Sequence, residues 1–479
     1  MRNENLPAFR SHVRVSMYFR LSLLGFALAI VALSIAAYFK YPGQGYLYLL
    51  FTIVCNAFLF LGFRKRAIFF DAFIGIFLWL GFWLKLSYRV VFVEGVPFAL
   101  LGSFDGSAAA FDRALLVSSC GMAALLAASF LRERFFTYPD RTLELARPGL
   151  LSFYRRHRKA VVLVFLGATA FIAASNAYLG IYQRGMVTQT VLPYGLNGVY
   201  KWLLQFGLAS GSALIIRFEI EIARNATWMA VFPPLIEGFL SNVSLLSRGM
   251  VLNISALYLG AYECLRAHKA RFNLSIVVVS ILAFAILFAA SVFTVNFLRS
   301  QSQSQAKVMA EVRGMTGALF IDRWVGIDGV MAVSSSPKLG WDFWREAWRE
   351  KYSEHTLSFY DRNLIDSPYV NADKSKYHFI SLPGVIAFFF YPGSYLFLFG
   401  SLFCLGLLAA AIEVAAFRLG GANLILCSLM AQVVAFRYAS IGYVPTQSYL
   451  LFGALILNLL IIYGADRVMT SAQTKAARD

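Results

Sequence analysis

Long apolar windows recur along most of the chain, separated by short stretches that carry charge or Gly and Pro. Each window has about 20 residues, the length that a helix needs to cross a bilayer core. Because lipid offers no partner for exposed amides, a spanning segment must satisfy its own backbone as a helix. The pattern predicts helices near residues 19–39, 45–63, 67–87, 112–131, 160–179, 201–217, 226–246, 250–265, 274–298, 393–417, 421–440 and 447–465.

These windows predict an all-α polytopic membrane protein with about 12 transmembrane helices and one large periplasmic loop containing short helices. Residues 1–298 would form a first bundle of about nine spans, residues 299–380 the loop, and residues 381–479 about three C-terminal spans. Composition agrees, since 59% of the 479 residues are hydrophobic and only 14% are charged. Water-soluble domains carry about a quarter charged residues, so a soluble globule is excluded.

The distribution of Lys and Arg sets the predicted orientation. Short loops rich in these residues stay in the cytoplasm, and basic residues collect in segments 1–20, 64–66, 155–159 and 266–271. With these segments inside, an even number of spans places both termini in the cytoplasm. The net charge of +18 is explained by this rule, since the basic residues form no single patch of the kind that binds nucleic acid.

The long loop and its return to the membrane contain two further patterns. Trp341 to Lys351 places aromatic residues at i, i+3 and i+7, which predicts an amphipathic helix on the membrane surface or over a cavity. Further on, Pro383-Gly384 and Pro392-Gly393 interrupt an apolar run. They predict a short re-entrant or interfacial helix, a feature tolerated where it lines a cavity.

An arginine stands between two closely spaced apolar helices, in the step Ser247-Arg248-Gly249. A guanidinium keeps its proton and offers a fork of donors, which suits an oxyanion such as phosphate. The alternative is an interfacial arginine that snorkels to the headgroups.

A mixed aromatic and charged segment lies in the outer loop, from Phe320 to Asp328. Asp322, Arg323, Trp324 and Asp328 are the residue types that cover sugar rings and orient hydroxyls. The alternative is a structural pair of Asp and Arg inside a folded loop.

His378 stands where the long loop re-enters the membrane, in the stretch from Lys376 to Gly384. Histidine is the side chain most easily set near neutral pKa, as a general base requires. A purely structural histidine is the alternative. Weaker candidates come from the loop near residues 180–200, where Arg184, Tyr194 and Lys201 either contact substrate or face lipid headgroups.

Several signatures of other chemistries are missing. The sequence contains no phosphate-binding GxxxxGK[ST], no HExxH and no GxSxG, which excludes the common nucleotide, zinc and hydrolase motifs. The five cysteines include no CxxC pair, so neither a zinc site nor a disulfide framework is indicated. Chemistry outside the cytoplasm has no ATP to draw on, and sugars carried on a lipid diphosphate arrive already activated.

At these residues the chain resembles the oligosaccharide repeat-unit polymerases, the Wzy-type O-antigen and exopolysaccharide polymerases. The matching parts are the Ser247-Arg248-Gly249 step, Asp322-Arg323-Trp324 in the long loop, and the stretch from His378 to Gly384. The layout of about twelve spans with one late loop is similar too. The resemblance implies polymerisation of undecaprenyl-diphosphate-linked repeat units by inverting glycosyl transfer, at the periplasmic face of a bacterial inner membrane.

The resemblance also implies roles for individual residues. Arg248 and Arg323 would bind the diphosphate with help from Arg184, and His378 would be the base, or the group that orients the acceptor hydroxyl. Tyr194, Asp322, Trp324 and Asp328 would contact substrate. It implies that no metal or cofactor is needed, and no nucleic acid is expected. The expected partners are the surrounding membrane lipid, a flippase and a chain-length co-polymerase.

Two other functions stay open at the level of sequence. One is transfer of the glycan to lipid A core, as in an O-antigen ligase. The other is a flippase or transporter for lipid-linked sugars. Transporters tend to have related halves and charges in mid-span, whereas this chain shows no internal repeat and places its notable charges near the outer edge. That pattern favours an enzyme.

Overall fold

Helices make up all the regular secondary structure in the described part of the chain. The computed structural model describes residues 6–93, 98, 101–138, 148–247, 249–268, 274–302, 321 and 324–476. The helices are α1 (Leu6–Lys40), α2 (Gly45–Leu61), α3 (Phe69–Phe92), α4 (Ala108–Arg132), α5 (Pro148–Leu179), α6 (Pro193–Ala223), α7 (Trp228–Ser244), α8 (Met250–Ala267), α9 (Leu274–Ser302), α10 (Ile327–Ser334), α11 (Trp341–Trp348), α12 (Phe359–Asn363), α13 (Val385–Phe389), α14 (Tyr395–Leu419), α15 (Leu424–Ala439) and α16 (Ser448–Ala476).

A helix stands at each position where the apolar windows predict one. Among the described residues, eight helices are long and apolar enough to cross a membrane, namely α1, α3, α4, α5, α6, α9, α14 and α16. Helices α2 and α15 are apolar but shorter. The structure is therefore consistent with an all-α polytopic membrane protein, while the number of twelve spans stays a prediction.

The helices separate into a buried centre and an exposed ring. Most residues of α3 and α15 are buried, whereas α1, α5 and α9 leave most of their apolar surface exposed. An exposed apolar ring of this extent is unfavourable in water but suits a lipid surrounding. The centre contains helices from both predicted transmembrane parts, since α15 packs against α3, α6 and α8.

One end of the bundle, which we call the basic end, is tied together by buried charged groups. Arg132 donates to Asp71 at 2.6 Å, which joins α4 to α3. Both oxygens of Glu413 accept backbone amides at the start of α3, from Phe69 at 2.8 Å and Phe70 at 2.9 Å. Because the first amides of a helix have no partner within it, this carboxylate satisfies donors that would otherwise be buried without one.

The loops at the opposite end, which we call the loop end, are connected to one another by backbone hydrogen bonds. The amide of Val187 donates to the carbonyl of Lys376 and that of His378 to the carbonyl of Gly185, both at 3.1 Å. The amide of Gly384 donates to Ile441 at 3.0 Å. Segments that lie far apart in sequence therefore form one layer over this end of the bundle.

The predicted amphipathic helix is present as α11, which ends three residues earlier than its pattern suggested. Trp344 packs on Phe397 at the start of α14, with ring centroids 5.1 Å apart. Trp348 packs on Phe388 of α13 at 6.1 Å. The predicted short helix is α13 itself, whose five residues are all buried. Helix α11 thus covers α13, and its position relative to a membrane surface stays a prediction.

Candidate functional site

The structure describes five of the residues that the sequence assigns to a site: Arg184, Tyr194, Trp324, Asp328 and His378. The other three, Arg248, Asp322 and Arg323, lie outside the described residues. Binding of a diphosphate by Arg248 and Arg323 therefore stays a prediction.

Arg184 and His378 lie on neighbouring strands of backbone at the loop end. Met186 and Tyr377 form an antiparallel bridge, and the residues on either side exchange the hydrogen bonds already described. This bridge joins the loop after α5 to the segment that leads into α13. Two predicted site residues nearly two hundred positions apart are thus brought together.

The imidazole of His378 is partly buried and held in one orientation. Its Nδ1 lies 3.1 Å from the carbonyl oxygen of Glu354, which can only accept, so Nδ1 carries the proton. Nε2 is then an acceptor, and it is buried without a hydrogen-bond partner among the described residues. Burial lowers the pKa of His378 below its usual value of 6.5. The ring is neutral at pH 7 and keeps the free lone pair that a general base needs.

Two tyrosines enclose the histidine. The ring centroids of Tyr352 and Tyr443 lie 5.7 Å and 5.6 Å from that of His378. Tyr443 is fixed through its hydroxyl, which donates to the carbonyl of Ser353 at 3.0 Å. The histidine therefore has little freedom to turn.

Glu354 ties this segment to the loop after α5. Its carboxylate accepts from the backbone amide and hydroxyl of Thr188, at 2.8 Å and 2.7 Å, and from the hydroxyl of Tyr352 at 2.8 Å. Burial raises the pKa of Glu354, but the hydrogen bonds from Thr188 and Tyr352 outweigh it and leave the pKa below its usual value. The carboxylate is thus ionised at neutral pH.

Two basic side chains lie at the same end of the bundle, one next to Gly249 and one over Tyr182. The amide of Arg184 donates to the carbonyl of Leu245 at 2.9 Å. Its Nη1 lies 3.8 Å from where a Cβ on Gly249 would be, next to the step that the sequence singled out. The ammonium of Lys201 lies 5.2 Å from the ring centroid of Tyr182, a cation–π contact.

Arg437, which the sequence patterns did not single out, lies at the same end of the bundle. It stands in the last turn of α15, where Nε and Nη2 donate to the hydroxyl of Ser448 at 3.1 Å and 2.9 Å. The loop that follows α15 carries Tyr443, which packs on His378. A signal was present, since a charge inside an apolar helix is a candidate functional residue by default.

Trp324 and Asp328 lie against α3. Trp324 stacks on Phe77 with centroids 5.8 Å apart. Asp328 accepts from Lys85 at 2.6 Å, and the lysine side chain is only 2% exposed. Asp328 thus takes part in an ion pair, as in the structural alternative considered for the segment, and its described partner is Lys85 of α3.

Tyr194 lies apart from the histidine and the arginines. Its side chain is fully exposed, and its φ of 57° places it in the left-handed region at the start of α6. The structure gives it no described contact with Arg184 or His378, so its role toward a substrate stays a prediction.

The arrangement suits proton transfer and anion binding by side chains. No group of three or more His, Cys, Asp or Glu side chains in the described ranges is placed to hold a metal ion. The groups described at the loop end are a neutral histidine, an ionised glutamate, two arginines and a lysine. No protein-family model, curated protein or solved structure matches the chain.

Proposed function

We propose that the protein is a membrane glycosyltransferase that polymerises undecaprenyl-diphosphate-linked oligosaccharide repeat units. The observation that carries the proposal is the presence at the loop end of a neutral histidine, whose Nε2 has no described partner, together with Arg184 on the neighbouring backbone segment and Arg437 at the end of α15. The first is suited to take a proton from a hydroxyl, and the others to hold a diphosphate. The resemblance to repeat-unit polymerases supports the same assignment.

The reaction follows from these roles. The acceptor hydroxyl oxygen attacks the anomeric carbon of the donor sugar and forms the new glycosidic bond. The bond between that carbon and the diphosphate oxygen breaks, and its electron pair leaves with the diphosphate. The hydroxyl proton passes to Nε2 of His378. Attack opposite the leaving group inverts the anomeric centre.

The arginines act on the charge that develops as the donor bond breaks. Fixed guanidinium donors stabilise that charge more in the transition state than in the bound substrate, and removing one such donor costs about 3 kcal/mol, or roughly 10²-fold in rate. Arg184, Arg437 and the arginine of the Ser247-Arg248-Gly249 step are the residues assigned to this role. No metal ion or nucleotide is needed for it.

The proposal places the loop end in the periplasm of a bacterial cell. The basic end carries Arg64, Arg132 and Arg158 in its ion pairs, and such residues favour the cytoplasmic side. Both termini are then cytoplasmic, and the lipid-linked donor meets the site from the outer leaflet. A flippase would deliver that donor, and a co-polymerase would set the chain length.

Mutation of the arginines tests the proposal in cells whose own copy of the gene is deleted. Arg437→Ala and Arg248→Ala should abolish long glycan chains while the protein remains in the membrane. The matched control is Arg345→Ala, because this arginine lies on α11 with a side chain 61% exposed. Glycan ladders on gels and immunoblots of membranes give the readout.

The outcomes separate the proposal from its alternatives. Normal ladders in the Arg437→Ala cells would remove Arg437 from the site, and normal ladders in both variants would overturn the proposed chemistry. Deletion of the gene should leave lipid A core capped with single repeat units. A deletion that leaves no attached glycan at all would point to a ligase instead.

A further inference from the structure

A shallow pocket opens beside His378. Its wall consists of parts of the late loop, from Glu354 to Leu357 and from Tyr369 to Phe379. The proposed mechanism uses only the histidine of this wall. The remaining groups therefore need an explanation of their own.

Three aromatic rings form a stack along this pocket. Tyr369 and Phe379 have ring centroids 5.4 Å apart, and Phe379 and Tyr377 are 5.6 Å apart with planes only 11° from parallel. Phe379 is the middle ring, Tyr377 at one end of the stack is buried, and Tyr369 and Phe379 are partly exposed. All three rings line the pocket. The pocket thus has a flat, rigid aromatic wall.

Polar groups occupy the rest of the wall. Glu354 and Lys374 bring an ionised carboxylate and an ammonium, and Thr356 brings a hydroxyl. His378 also lines the pocket, and its Nε2 acceptor is buried and has no hydrogen-bond partner in the described ranges. A buried acceptor without a partner is costly, and a donor from a bound molecule would remove that cost.

We infer that this pocket is the subsite for the acceptor sugar, an inference that rests on the proposed function. The positively polarised C–H face of a pyranose ring lies against the electron-rich outer face of Tyr369, the partly exposed end of the stack. Its hydroxyls meet Glu354 and Lys374, and one hydroxyl donates to Nε2 of His378. A shallow wall suits one ring of a longer glycan, since the chain on both sides remains in solvent.

The backbone of His378 joins this wall to the loop that carries Arg184, because its amide donates to the carbonyl of Gly185. Inverting transfer requires the acceptor hydroxyl to attack the anomeric carbon of the donor on the side opposite the diphosphate, with the histidine next to that hydroxyl.

Direct sugar binding tests the inference. The full-length protein in detergent micelles is mixed with methyl glycosides of glucose, galactose, mannose, rhamnose and N-acetylglucosamine, and saturation-transfer NMR reports which ring protons contact the protein. At least one glycoside should receive saturation on its C–H protons. Tyr369→Ala should weaken binding about two- to tenfold, whereas Tyr369→Phe should retain it.

The matched control is Tyr178→Ala, since this tyrosine near the end of α5 is 88% exposed. It should bind as the unaltered protein does. Absence of saturation for every glycoside, or equal binding by Tyr369→Ala and the unaltered protein, would overturn the inference. Glycan ladders distinguish failure of this inference from failure of the proposed function. Sugar binding in a protein whose deletion leaves ladders intact refutes the polymerase, and lost ladders without sugar binding refute the subsite alone.

Discussion

The buried pair of Lys85 and Asp328 provides the sharpest test of how the long loop is attached to the bundle. Lys85 belongs to α3, directly after its π-helical turn, and Asp328 to the first turn of α10. Their charged atoms lie 2.6 Å apart, and the side chains are 2% and 26% exposed. Asp328→Asn keeps the shape of the side chain but removes its charge, so that Lys85 loses its carboxylate partner while it remains buried.

The expected loss of stability is large. Removing one partner of a buried ion pair costs about 3–5 kcal/mol, because the remaining charge is left in a low-dielectric surrounding. The exposed pair of Arg345 and Asp342 provides the control, with side chains 61% and 90% exposed and a separation of 3.4 Å. Asp342→Asn should cost about 0–1 kcal/mol, the usual worth of a surface pair.

Unfolding in mixed micelles with dodecyl sulfate, followed by tryptophan fluorescence, measures both free energies. Adding Lys85→Met to Asp328→Asn should recover most of the loss, since no charge is then buried. The reasoning is refuted if Asp328→Asn destabilises the protein no more than Asp342→Asn. It is also refuted if the double variant is less stable than Asp328→Asn alone.

A pH profile, a pair of glycine substitutions and one glutamate substitution test the site and the packing. Because burial lowers the pKa of His378 below 6.5, transferase activity should fall only as the pH drops below that value; a pH–rate profile with its acid midpoint at 6.5 or higher contradicts this. Gly329→Ala would place a Cβ 1.9 Å from the carbonyl oxygen of Pro383 and should cost about 1–3 kcal/mol. Gly400→Ala, which meets nothing within 4 Å, should stabilise α14 by about 0.5–1 kcal/mol, and micellar unfolding compares the two. Glu413→Ala should cost about 1–3 kcal/mol in the same assay, because it leaves helix-start amides unpaired; an unchanged midpoint contradicts the capping role.

The positions of the helices were predictable because apolar windows record the solvent around each segment. The lengths of the helices were less predictable. Helix α5 begins at Pro148, before its predicted window at residues 160–179, and runs through the basic stretch with a break at His157. Hydropathy ends where charge begins, but a helical backbone continues wherever local hydrogen bonds persist.

The candidate site was predictable only in part. The sequence singled out Arg184 and His378, and the bridge between Met186 and Tyr377 brings them together. Arg437 and Lys85 were missed because both stand inside apolar windows, where sequence does not reveal whether a long side chain turns outward or inward. The acidic partner of Lys85 lies 243 residues away. Such a pairing depends on the packing of α10 against α3 and on no local pattern.

The place of α13 has a consequence for the order in which the molecule is made. Ile386 of this short helix lies 2.9 Å from where a Cβ on Gly121 of α4 would be, so α13 and α4 are in close contact. The ribosome finishes α4 long before residue 386 emerges. During that interval α4 lacks the neighbour that covers Gly121 in the finished fold. Completion of the interior at this point therefore waits until the chain has been made as far as α13.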